Sequence, residues 1–149
     1  MKALVVYDSV FGNTEKLANA LASGLTSGEV DVDVVKVDSV KLEELSAVDL
    51  LCVGSPTHAW NASKSTKEFL EHLLTVQGLE GKKAFAFATK MTSRLSGDAG
   101  RKIENKLKDA GLTVARRAYT AIVEGREGPL EEGAEEALKK IGEELAHLQ

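Results

Sequence analysis

A lone cysteine, Cys52, is the only thiol in the chain. It excludes a disulfide framework and a cysteine-based metal cluster, and its place inside an apolar run fits a reducing cytoplasm. Histidine is scarce as well: His58, His72 and His147 are scattered and lack carboxylates at metal-ligand spacing, so no metal site is expected. No apolar run approaches the roughly 18 residues of a membrane span. Strand-like residues follow Met1 almost at once, leaving no room for a signal peptide, so a soluble, unprocessed protein is expected. An excess of one charge is also missing. The formal net charge is -4, with 19 Lys and Arg against 23 Asp and Glu spread along the chain. That balance offers neither a nucleic-acid footprint nor a membrane-binding patch. With only two prolines and no repeat, low-complexity tract or linker, residues 1–149 read as one domain, large enough to bury about two thirds of its unfolded surface.

Strand-like and helix-like segments alternate through the chain. The aliphatic Leu4, Val5 and Val6 read as a strand buried on both faces. A helix from Glu15 to Leu25 follows, with Leu17, Leu21 and Leu25 on one face and Gly24 and Gly28 marking its end. Further strands are expected at Val32 to Val37, Val48 to Val53, Ala84 to Ala88 and Thr113 to Val123. A short turn lies around Leu42 to Leu45, and Gly54-Ser55-Pro56 is expected to end the third strand sharply. Helices are expected over Ser65 to Leu74, over Asp98 to Ala110, and at the end, where Leu138, Ile141 and Leu145 share a face. The acids Glu131, Glu132, Glu135 and Glu136 would open that last helix and complement its dipole, with Pro129 at its first turn. The pattern predicts an α/β, doubly wound, five-stranded parallel sheet, a three-layer αβα sandwich with strand order 2-1-3-4-5.

Ligands of such a sheet bind beyond the carboxyl ends of its strands, where the strand order reverses. The first such loop is Ser9-Val10-Phe11-Gly12-Asn13-Thr14. Ser9 and Thr14 carry hydroxyl donors, Gly12 permits close backbone approach, and Thr14 stands where a helix N-cap belongs. Free N–H groups at the helix start, with its positive dipole end, make a site for a dianionic phosphate. Here too absences narrow the choice. No Lys precedes Thr14, as a Walker loop requires, and Gly12 stands without the other glycines of a dinucleotide fingerprint. A phosphate held without Lys or Mg²⁺ suggests a terminal phosphomonoester, of which flavin mononucleotide (FMN) is the common example. A purely structural turn capped by Thr14 leaves the hydroxyls and Gly12 as coincidence.

The run of two aliphatics and Tyr7, then Ser9, then Gly12-Asn13-Thr14, then Ala18 and Leu21, resembles the signature of the flavodoxin family, short-chain members in particular. The resemblance covers essentially the whole chain and implies noncovalent FMN, held at the phosphate by Ser9 to Thr14. Phe11 departs from the family, which commonly has a hydroxyl residue there. The loop Pro56-Thr57-His58-Ala59-Trp60 resembles the segment that covers one face of the flavin ring, with either His58 or Trp60 placed to pack on it. Ala59 falls where the family's peptide reorients on one-electron reduction, and its Cβ makes that flip harder than glycine would. The third loop, Thr89-Lys90-Met91 through Arg94 to Gly97, would clamp the ring edge. It lacks the family's outer stacking aromatic and carries two cations, Lys90 and Arg94, which would favour the anionic reduced flavin.

The resemblance implies electron transfer between redox partner proteins, with the chain a monomer or a dimer and no side chain serving as a catalytic acid or base, since the flavin carries the chemistry. The main alternative is an FMN-dependent NAD(P)H:quinone-type reductase working at an uncovered flavin face. A third is a binding module that has lost the flavin. A receiver domain shares the strand order, but its phosphoacceptor Asp is missing at Gly54-Ser55.

Overall fold

Residues 1–91 and 97–148 are described in this computed structural model. Its first strand, β1 (Lys2–Tyr7), is flanked on one side by β2 (Asp31–Lys36) and on the other by β3 (Leu50–His58), both parallel. β5 (Lys83–Met91) pairs parallel with β3, and two short strands, β6 (Thr113–Val114) and β7 (Tyr119–Val123), pair in turn with β5. The predicted order is met, β6 and β7 being the two halves of the fifth strand. A two-residue strand, β4 (Asn61–Ala62), folds back antiparallel on β3.

Alternation along the strands sends successive side chains to opposite faces. Val5, Tyr7, Phe85 and Phe87 pack under α1 (Asn13–Ser27) and α4 (Ala134–Ala146). Val6, Leu51, Val53 and Ala86 pack under α2 (Lys64–Leu73) and α3 (Ala99–Asp109). Strands enclosed on both faces are therefore nearly all apolar, as β1, β3 and β5 are. Two of the helix starts have side-chain caps: Ser63 accepts from the Thr66 N–H and Asp98 from the Gly100 N–H. Among the described residues, no helix is long and apolar enough to cross a membrane.

Several sequence expectations need correction. The cap of α1 is Gly12, at φ 89°, and Thr14 lies inside the helix with its side chain buried. Gly24 does not end α1. It sits within the helix, against α4, where a Cβ would come 2.0 Å from the Lys139 carbonyl oxygen; Gly28 is the C-cap. Pro56 does not stop β3, which runs on to His58. Gly54 offers its carbonyl to the Asp8 N–H on the β1 side. Pro56 has the same parity, and β1 has already ended at Tyr7, so its missing N–H leaves no ladder bond unmade.

The fifth strand breaks between Val114 and Tyr119. Its partners on β5, Ala84 and Phe87, are closer in sequence than these two residues, so the intervening chain bulges out. Arg116 and Arg117 stand in that bulge, where a buried strand would have had to take two charges. Nor does Pro129 open the last helix. Its carbonyl accepts from the Glu124 N–H, Leu130 bridges back to Val123, and α4 begins only at Ala134. Of the acid cluster, Glu135 and Glu136 occupy the first turn of α4 while Glu131 and Glu132 precede it.

Candidate functional site

The carboxyl ends of β1, β3, β5 and β7 open into a cleft of about 300 Å³. It lies where the connections from β1 and β3 diverge, as the switch-point rule requires. From the first loop, Ser9, Val10, Phe11, Asn13 and Thr14 line it; Pro56, Thr57 and His58 come from β3, and Thr89, Lys90 and Met91 from β5. Gly12, Ala59, Trp60 and Gly97 lie outside this lining, and Arg94 lies outside the described residues.

The first loop is built to leave donors free. The Ser9 hydroxyl oxygen accepts from the Gly12 N–H at 2.9 Å, so its own O–H remains available to a ligand. The first hydrogen bond within α1 runs from the Lys16 N–H to the Gly12 carbonyl. Helix geometry therefore leaves the N–H groups of Asn13, Thr14 and Glu15 without acceptors inside the helix, at its positive end. Thr14 and Thr89, both buried, bring their hydroxyls to 3.3 Å across the cleft floor.

Behind the second loop is a buried hydroxyl cluster. Ser55 accepts from the Ser63 N–H at 2.9 Å, and the Ser63 hydroxyl lies 2.9 Å from that of Thr66. Thr57 accepts from the Ala99 N–H at 3.2 Å, tying the loop to the start of α3. Ala59 and Trp60 then turn the chain between His58 and Asn61, both at positive φ, 47° and 75°. Trp60 is half exposed and bridges to Gly97, where a Cβ would come 2.6 Å from the Trp60 Cα. Of the two candidate rings, His58 lines the cleft and Trp60 stands outside its lining.

The left-handed conformation costs an L-residue about 1–2 kcal/mol. Glycine at position 59 would remove that strain and return somewhat less through its larger unfolded-state entropy. Ala59→Gly is therefore expected to raise the unfolding free energy by about 0.5–1 kcal/mol, read from denaturant midpoints.

Two lining residues escaped the sequence reading, Val123 and Arg126. Val123 is the last residue of β7, expected only as part of a strand, and Arg126 lies in the segment that follows it. The available signal was a cation in a glycine-flanked turn at the carboxyl end of a strand. Asn13 ties this segment to the first loop by donating to the Glu127 carbonyl at 3.1 Å. Among the described lining residues, Lys90 and Arg126 are cationic and there is no carboxylate, which suits an anionic ligand.

At the end of β1, Tyr7 donates to Glu15 at 2.6 Å. That hydrogen bond, with burial and the neighbouring charges of Glu15 and Asp38, pushes its pKa up from 10.0 to about 12. Since the folded value lies above the unfolded one, the contribution to stability is complete below pH 10 and lost as pH rises through 12. Glu15→Gln is expected to bring Tyr7 ionisation back toward its ordinary range and to flatten that alkaline loss, followed by tyrosinate absorbance and denaturant midpoints.

The fold and cleft together define a doubly wound α/β protein with the start of a helix at its topological switch point. The chain belongs to the flavodoxin family, whose model, described as flavodoxin, matches residues 5–141. A flavodoxin from the domain Archaea superposes with a TM-score of 0.87 at 31% identity, covering 98% of this chain and 96% of that one. The flavodoxin of Aquifex aeolicus is 38% identical over 91 residues, 59% of this chain and 49% of its own. Putative diflavin flavoprotein A 2 of Thermosynechococcus vestitus is 35% identical over 117 residues, 76% of this chain and 20% of its own. The chain therefore spans half or less of the length of these two curated relatives.

Proposed function

We propose that the chain binds FMN noncovalently in this cleft and carries electrons between redox partner proteins. The observation that carries this reading is the junction of the start of α1, which no side chain caps, with a cleft that holds cations and hydroxyls and, among the described residues, no carboxylate. Ser9, Thr14 and the N–H groups at the start of α1 would hold the phosphate. Pro56, Thr57 and His58 would meet the ribityl chain and one ring face, with Thr89, Lys90 and Met91 at the ring edge. When bound, FMN supplies the redox chemistry; the protein contributes position, water exclusion and local charge. No side chain has to serve as acid or base.

The test begins with apoprotein and FMN. Stoichiometric uptake, followed by quenching of flavin fluorescence, is expected. Under anaerobic conditions the loaded protein should pass electrons to a one-electron acceptor after chemical reduction, while remaining oxidised with a nicotinamide alone. Rapid reduction by a nicotinamide with no reductase present would overturn the carrier assignment in favour of an enzyme.

A further inference from the structure

We propose that Arg126 is a recognition residue for the ligand phosphate, held in place by Phe11, so that the site selects FMN over the same flavin without phosphate. This rests on the FMN reading above and concerns which residue reads the phosphate.

A phosphomonoester carries about -1.5 to -2 charge near neutral pH. The start of α1 offsets roughly half a charge. The first loop, residues 9–14, contains no cation, and its polar side chains are partly committed. The Asn13 amide donates to Glu127, and the Thr14 hydroxyl shares a contact with Thr89. A cation beside the loop would add charge compensation to the hydrogen bonds that the neutral donors supply.

Of the two cations among the described lining residues, Arg126 is the one that packs on this loop. Its guanidinium carbon lies 5.9 Å from the centroid of the Phe11 ring. An exposed contact of that kind contributes about 0.5–1 kcal/mol, enough to bias a long side chain toward the ring. Arg126 makes no ion pair or hydrogen bond through its side chain among the described residues, so its N–H groups remain free to donate. Phe11 itself is a little under half exposed, so its ring is accessible to the guanidinium.

The backbone beneath Arg126 is preorganised. The Gly128 N–H donates to Gly125 and the Glu124 N–H to Pro129, closing a tight turn with Arg126 inside it. The Asn13–Glu127 hydrogen bond fastens that turn to the loop that would hold the phosphate. A Cβ on Gly128 would come 3.2 Å from the Asn13 Oδ1, so this junction is close-fitting. A guanidinium at this edge of the cleft has the paired N–H groups with which arginine binds phosphate oxygens.

The experiment titrates apoprotein with FMN and, separately, with riboflavin, for the wild type, R126Q and R126K. Arg126 is exposed, so the variants should fold as the wild type does, checked by thermal melts. R126Q is expected to weaken FMN binding by about tenfold and to leave riboflavin binding within about twofold. R126K should keep part of the FMN advantage through its charge. Added salt should erode that advantage in the wild type more than in R126Q. Equal weakening of both flavins, or unchanged FMN binding in R126Q, would overturn the proposal while leaving the FMN reading intact. A wild-type protein that binds neither flavin would overturn the FMN reading itself.

Discussion

Gly24→Ala is expected to lower the unfolding free energy by about 2–3 kcal/mol, with Gly142→Ala close behind. In an exposed helix, glycine to alanine would stabilise by about 1 kcal/mol through backbone entropy. Here the steric effect wins because the obstacle is backbone. A Cβ at Gly24 would come 2.0 Å from the Lys139 carbonyl oxygen, and one at Gly142 would come 2.3 Å from the Leu21 carbonyl oxygen. Neither oxygen can rotate away, so α1 and α4 would have to separate along their contact, loosening Leu17, Leu21, Leu138 and Ile141 together. Urea midpoints should fall with little change in slope. Gly133→Ala separates this effect from simple backbone strain: its Cβ would meet nothing within 4 Å, and only its φ of 86° opposes it. It should cost about 1 kcal/mol.

Thr14→Val should act on stability and on the ligand together. Valine keeps the shape of the side chain and removes its hydroxyl. Thr14 and Thr89 are both buried, with their oxygens 3.3 Å apart. The Thr89 hydroxyl would lose that contact, at a cost of about 1 kcal/mol, near the low end for an unsatisfied group because it borders the cleft. Loss of a donor to a charged phosphate should weaken FMN by about 10- to 100-fold. Thr14→Ser, which restores the hydroxyl, should recover most of the affinity. Fluorescence titration measures the affinity, and denaturation of the apoprotein measures the stability.

Much of the fold was legible because it rests on local patterning. The apolar runs of β1, β3 and β5 announce strands enclosed on both faces. The spacing of Leu17, Leu21 and Leu25 announces the buried face of α1. The expected starts at Ser65 and Asp98 fall within two residues of the observed caps, Ser63 and Asp98. Three of the errors fall where a neighbour distant in sequence decides. Gly24 looks like a helix stop until α4 is laid against it. Pro56 looks like a strand stop until the end of β1 shows that its missing N–H faces no partner. The Thr113 to Val123 run looks continuous until its pairing with β5 requires a bulge at Arg116 and Arg117.

The candidate site divides along the same line. The phosphate loop is contiguous, so Ser9, Gly12 and Thr14 could be picked out by spacing, as could the Pro56-Thr57 pair. Arg126 could not. It lies more than a hundred residues from Phe11, and the order of strands in the sheet brings the two together.

By itself the sequence determined the alternation of strands and helices, the buried faces, and the short loop able to receive an anion, because periodicity and turn chemistry act over a few residues. Tertiary structure alone decided where the helices touch, which ring lines the cleft, and which cation stands beside the phosphate loop. Those outcomes depend on distances between segments remote in the chain, and such distances exist only once the sheet has set the strands side by side.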